Sequence, residues 1–141
     1  MRRPGCGSLS VALALSIVAC DAAPYEPTPV DLDTVSPARA QELVRHDASV
    51  TPLDVRTPIE FAAGHLQNAN NIDARASDFE RQIRQLDRRR TYLVYCASGA
   101  PGGRSEVAAA RLLELGLPHV LLLTGGFRAW LAAGEEVVPR R

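Results

Sequence analysis

The chain has 141 residues, of which 46% are hydrophobic and only 5% aromatic, enough for one compact domain plus a processed or extended N-terminus. Sixteen basic and 16 acidic residues cancel, so nucleic-acid binding has no electrostatic support. All of the basic residues are arginine, which excludes lysine-based chemistry.

Residues 1–19 read as a targeting segment. Arg2 and Arg3 form a positive start, Leu9 to Ala19 an apolar run too short to span a bilayer comfortably, and Ala19 stands before Cys20. The pattern resembles a bacterial lipoprotein signal peptide, which implies cleavage before Cys20 and lipidation of that cysteine. An ordinary secretory signal or an uncleaved anchor is the plainer alternative. The expected location is exported, on the periplasmic side and anchored by lipid, with the inner or outer membrane left open. Residues 20–29 hold Pro24, Pro27 and Pro29 without apolar periodicity and read as an extended tether. Cys6 leaves with the signal and Cys20 is taken by lipid, so Cys96 is left alone in an exported domain. A single thiol in an oxidising compartment favours a used, reactive cysteine.

The folded domain is expected over residues 30–141. Ser36-Pro37 opens a helix to about residue 46, with Ala40, Leu43 and Val44 as its apolar stripe. A short strand over 50–55 carries Asp54 and Arg56 at its end. Thr57 and Glu60 form a capping box for a helix reaching about Ala63, which Gly64 stops. Residues 66–72 lead into another short strand. A helix starts at 77–80, with Phe79, Ile83 and Leu86 on one face. A central strand over 91–95, a helix over about 103–115 and a strand over 120–123 follow. Gly125 and Gly126 then turn the chain into a last helix around 127–133. Strands alternating with helices through short loops argue an α/β fold, a central parallel sheet with helices on both faces.

The stretch from Tyr92 to Glu114 carries the chemistry. A run of β-formers stops at Cys96, a glycine-containing loop follows, and Arg104-Ser105 open an Ala/Leu-rich helical pattern. A loop at the carboxyl end of a strand, entering a helix N-terminus, gathers unpaired N–H groups and the positive end of a helix dipole. A thiol placed there can fall from about 8.5 to roughly 3.5–7.5 in pKa, which makes Cys96 a candidate thiolate nucleophile. Gly99, Gly102 and Gly103 allow the positive φ angles that turn successive N–H groups toward an anion. Arg104 can bind such an anion in a two-pronged way. The bland alternative is a core cysteine at a strand end with Ser105 as a helix cap; the glycines and arginine behind the cysteine outweigh it.

Three blocks of residues resemble the rhodanese domain of sulfurtransferases. The first is Leu53-Asp54-Val55-Arg56 with Glu60-Phe61, Gly64-His65-Leu66, Ala69, Asn71 and Ile72. Tyr95-Cys96 with Gly99 and Arg104-Ser105 form the second, and Leu123, Gly125-Gly126-Phe127, Trp130 and Ala133-Gly134 the third. The resemblance spans residues 30–138 and implies the rhodanese-like three-layer fold and sulfur transfer. Cys96 would take a sulfane sulfur from thiosulfate or a persulfide, hold it as a cysteine persulfide and pass it to cyanide or a thiol. No metal or organic cofactor is implied. The substrate-binding set is then Ala97, Ser98, Gly99, Ala100, Gly102, Gly103, Arg104 and Ser105, with Arg104 closing the ring around the anion. Asp54, Arg56, Glu60 and His65 are read as structural support.

Cys96 to Arg104 counts nine residues inclusive, longer than in single-domain sulfurtransferases or in the related phosphatases and arsenate reductases. A larger oxyanion or a bulkier sulfur donor therefore stays open. So do a phosphatase or arsenate reductase on the same scaffold and a non-enzymic binding or sulfur-carrier module. His46 and His119 lack ligand partners at metal spacing. Trp130 and Phe127 read as the apolar face of the last helix, and Arg88, Arg89 and Arg90 as a solvated turn.

Overall fold

A computed structural model describes residues 32–139; the targeting segment, Cys20 and the tether fall outside the described residues. The elements run β1 (Thr34–Val35), α1 (Pro37–His46), β2 (Val50–Asp54), α2 (Pro58–Ala63) and β3 (Asn70–Asn71). They continue with α3 (Phe79–Ile83), β4 (Thr91–Tyr95), α4 (Arg104–Glu114), β5 (Val120–Leu123) and α5 (Gly126–Ala132). The five strands form one sheet in the order β1-β5-β4-β2-β3, and every pairing is parallel. No described helix is long and apolar enough to cross a membrane.

Alternation along the strands makes the layers. On β4, Tyr92 and Val94 point to one face, together with Cys96 just beyond the strand, while Leu93 and Tyr95 point to the other. The first face packs with Ile83 of α3 and Ala108, Ala109 and Leu112 of α4. The second packs with Ala40 of α1 and Trp130 of α5. A strand buried on both faces needs apolar residues throughout, which is why β4 reads as a continuous Tyr-Leu-Val-Tyr run. Parallel register puts the carboxyl ends of β2, β4 and β5 on one edge, where their loops meet.

The helix starts follow their caps. Ser36 accepts the Arg39 amide at 3.3 Å with Pro37 as the first helical residue. Thr57 and Glu60 form both halves of the capping box. The strands at the sheet edges are shorter than sequence patterning resolves. β1 was not expected, since two residues carry no periodicity, and it exists through its pairing with Leu122 and Leu123. β3 shrinks to Asn70 and Asn71, poor β-formers held by the register with Leu53 and Asp54. α3 ends at Ile83, so Leu86 packs on the core from the turn that follows.

Candidate active site

Cys96 is the first residue past β4, only 3% exposed, on the face covered by α3 and α4. Its Sγ lies 3.2 Å from the Oγ of Ser105, the second residue of α4. The amides of Gly99, Ser105 and Ser98 lie near enough to draw its pKa down. Burial alone would raise the thiol pKa. The Ser105 hydroxyl and these three amides outweigh it, and the thiol sits below its ordinary value. Gly103 caps α4 without a side-chain hydrogen bond, which leaves the first turn free to donate toward the loop. A thiol held below its ordinary value at that point ionises more readily than a free one.

The second half of the loop is a tight turn. Gly103 donates to the Ala100 carbonyl at 2.9 Å, and Gly102, after Pro101, has φ +67°, the arrangement of a type II turn. The Gly102 amide donates to the Glu106 carboxylate at 2.6 Å. The N–H groups of Gly102 and Gly103, expected in the anion cradle, are therefore engaged within the loop and its helix. The inward-facing amides are fewer than the sequence suggests. Ala97 and Ala100 contribute carbonyl acceptors, to Arg128 and Gly103. The Pro-Gly dipeptide at 101–102 is the signal that could have revealed this turn.

The loop is clamped by α5. Phe127 donates to the Cys96 carbonyl at 2.8 Å and Arg128 to the Ala97 carbonyl at 3.0 Å. Gly126 has φ +59°, and a Cβ there would stand 2.5 Å from the Cys96 carbonyl oxygen. A Cβ on Gly99 would stand 2.8 Å from the Gly126 nitrogen. Two backbones pass at a separation that only glycine permits. The sequence pattern at Gly125 and Gly126 predicts a turn into a helix; the structure shows that this turn also holds the Cys96 loop.

Arg104 opens α4, and its two terminal nitrogens bind Glu60 of α2 at 2.9 and 3.0 Å. Glu60 also accepts from the Thr57 amide and hydroxyl, each at 3.0 Å. Chiefly through Arg104, the Glu60 carboxyl is held down to about 2. The Arg104 pKa rises through Glu60 first, with the charges of Cys96 and Asp73 adding to it. Arg104 thus stands within electrostatic reach of Cys96, yet its fork is filled by a carboxylate. Glu60, read from sequence as a brace, belongs to the wall of the site.

The remaining expected supports form a buried scaffold beside it. Arg56 and Asp54 pair at 2.6 Å, with side chains 5% and 0% exposed. The Arg56 amide and Nε add bonds to the same carboxylate, and Nη2 donates to the Gly64 carbonyl at 2.7 Å. Its guanidinium lies 4.0 Å from the Phe127 ring centroid. The Asn71 amide donates to the Asp54 and Arg56 carbonyls. His65 stacks on Phe61 at 3.7 Å, donates to its carbonyl through Nδ1 and bridges to Val138. His46 and His119 are exposed. Among the described residues no three His, Cys, Asp or Glu side chains cluster as metal ligands would. A cavity of about 360 Å³ opens beside the loop between Gly99, Pro101, Ser105, Glu106, Leu122 and Thr124, and Cys96 is not among its walls.

Residues 36–133 match the Rhodanese-like domain family. Thiosulfate sulfurtransferase GlpE of Pseudomonas putida is 36% identical over 99 residues, covering 70% of this chain and 84% of that protein. A protein named Sulfurtransferase from Allochromatium vinosum is 34% identical over 86 residues, covering 61% of this chain and 76% of that one. A rhodanese-related protein of Thermoplasma volcanium superposes with a TM-score of 0.66 at 32% identity, covering 75% of this chain and 97% of that one. With the parallel sheet, the loop after β4 and these matches in agreement, the chain belongs to the Rhodanese-like domain family.

Proposed function

We propose that the protein is a sulfurtransferase that carries a sulfane sulfur on Cys96 as a persulfide. The observation that carries this reading is the thiol at the focus of the Ser105 hydroxyl and three amides, its pKa lowered although it is buried. The Cys96 thiolate attacks the outer sulfur of thiosulfate or of a persulfide donor, and the donor's S–S bond breaks as the new one forms. The donor's remainder leaves with the bonding electrons. In the second half, cyanide or a thiol attacks the outer sulfur of the Cys96 persulfide and the thiolate is restored. Sulfur is both electrophile and leaving group, so the chain's part is to hold the thiolate and to stabilise anionic sulfur with oriented donors. Relatives named as sulfurtransferases support the same reading.

Hydrolysis or reduction of a large oxyanion on this scaffold is the second reading, and the nine-residue loop favours it. Against it, the Arg104 fork is occupied by Glu60 and the Gly102 and Gly103 amides are engaged. A tetrahedral dianion would find the loop's own guanidinium, on Arg104, already engaged by Glu60. The lipid-anchored, exported location remains part of the proposal, supported by Arg2, Arg3, the apolar run and Cys20. Cys20→Ser would then release the chain from the membrane fraction.

The test of activity is thiosulfate cyanolysis by the purified full chain beside Cys96→Ser, with intact mass read before and after cyanide. The expected outcome is thiocyanate from the wild type only, with one sulfur atom removable from its mass. Absence of both thiocyanate and removable sulfur overturns the proposal, and turnover of aryl phosphates or arsenate would then support the second reading.

A further inference from the structure

The loop around Cys96 is poor in free positive charge for a site that is to bind a dianion. Its one guanidinium, on Arg104, gives both terminal nitrogens to Glu60. The carboxylate of Glu106 sits at the other side of the loop, on the Gly102 amide. Asp73 adds a third negative charge within electrostatic reach of Arg104. Glu60 stays ionised across the physiological range, because Arg104 and the Thr57 donors hold its carboxyl down to about 2. Within the loop and the start of α4, the Ser105 hydroxyl and the amides of Gly99, Ser105 and Ser98 are the groups that draw the Cys96 pKa down.

The two donor classes make different demands on such a site. Thiosulfate brings two negative charges and releases sulfite, so both substrate and leaving group call for a cation. A persulfide, R–S–SH, needs less. The Cys96 thiolate attacks its outer sulfur, the Cys96 S–S bond forms as the donor S–S bond breaks, and the electron pair leaves on R–S⁻. That thiolate takes a proton from solvent, the outer sulfur keeps its hydrogen, and no oxidant or reductant enters.

We infer that Glu60 sets donor specificity by occupying the Arg104 guanidinium, so that the site prefers a persulfide on an uncharged or cationic thiol to the thiosulfate dianion. This deepens the sulfurtransferase reading and rests on it. Glu60 is a positioning residue in this scheme and acts only through Arg104. Its place in the capping box makes the point testable, because glutamine also completes that box. Glu60→Gln keeps the helix start and removes the charge.

The experiment compares kcat and KM for thiosulfate and for cysteamine persulfide in the full chain, in Glu60→Gln and in Thr57→Ala. Release of Arg104 in Glu60→Gln is expected to lower the KM for thiosulfate about ten-fold, the low end for charge-assisted hydrogen bonds, and to change that for the persulfide less than about two-fold. Thr57→Ala weakens the cap but keeps the carboxylate, so it lowers Tm and leaves the donor ratio unchanged. A donor ratio that is the same in Glu60→Gln and wild type, or one that Thr57→Ala shifts equally, assigns Glu60 a purely structural role and overturns the inference. Thiosulfate titrated calorimetrically into Cys96→Ser and into Cys96→Ser/Glu60→Gln isolates binding from turnover. Tighter binding by the double variant supports the inference, and equal affinity overturns it alone. A wild-type chain that gains no sulfur in intact mass from either donor overturns the underlying sulfurtransferase reading.

Discussion

Two arginine–carboxylate pairs stand at the carboxyl edge of the sheet, and they differ in almost everything but chemistry. Arg56 and Asp54 are two residues apart, 5% and 0% exposed, and locked by Gly64, Asn71 and the Phe127 ring. Arg104 and Glu60 are 44 residues apart, with side chains 20% and 34% exposed. Burial lets the first pair fix backbone geometry but forbids it to change partner, since either charge left alone would be stranded without solvent. The second pair has water within reach and Cys96 nearby, so parting it costs less than parting the buried pair. Charge pairs at a site edge are therefore sorted by burial: the closed one builds the frame and the half-open one can tune chemistry.

The comparison breaks most visibly if the buried pair is cut. Arg56→Ala strands Asp54 and removes the Gly64 contact, with an expected loss of about 3–5 kcal/mol in urea denaturation. Arg104→Ala is expected to change stability by less than about 1 kcal/mol, because its pair is partly solvated, while altering donor kinetics. Equal losses in the two variants would erase the distinction. Next in size is the clamp. Gly126→Ala forces a side chain into a φ of +59° with backbone 2.5 Å away, so it loses the ~1–2 kcal/mol of left-handed strain and more. Gly102→Ala has a φ of +67° but no atom within 4 Å of the new Cβ, so strain alone is expected, about 1–2 kcal/mol. Thermal unfolding of the two variants separates strain from collision, and activity should fall further in Gly126→Ala because the Cys96 carbonyl must shift.

The sequence made the local parts of this site legible and hid the distant ones. A strand, a cysteine, glycines and a helix start lie within one short segment, so Cys96, Ser105 and the parallel α/β fold could be read from spacing. The capping box at Thr57 was legible for the same reason: its partners are three residues apart. That its glutamate also binds Arg104 was not, because nothing local links positions 44 residues apart. The clamp joins Cys96 to Phe127 through backbone atoms, which leave no signature except glycines whose purpose depends on the partner. β1 and β3 are too short for alternation to appear and exist through their neighbours' register. Residues 1–19 and Cys20 lie outside the described residues, so the targeting expectation still rests on sequence pattern alone.

A modest, pH-dependent effect is expected at Ser105, and it tests how the half-open site holds its thiol. Burial pushes the Cys96 pKa up, and the Ser105 hydroxyl is the leading group pulling it down, ahead of the amides of Gly99, Ser105 and Ser98. A thiol whose folded pKa is depressed contributes stability above its unfolded value of about 8.5 and loses it as pH falls through the folded value. Ser105→Ala removes one such bond, so stability at alkaline pH is expected to fall by about 1 kcal/mol, with less change where the thiol is protonated. In catalysis the same loss moves the acid limb of kcat/KM to higher pH and leaves the alkaline plateau in place, because the amides still draw the thiol pKa down. A limb that stays put would mean that the amides alone set the thiol's ionisation and that the Ser105 hydroxyl contributes nothing to it. A plateau that falls with no shift of the limb would mean that the hydroxyl acts on the transferred sulfur rather than on the resting thiolate.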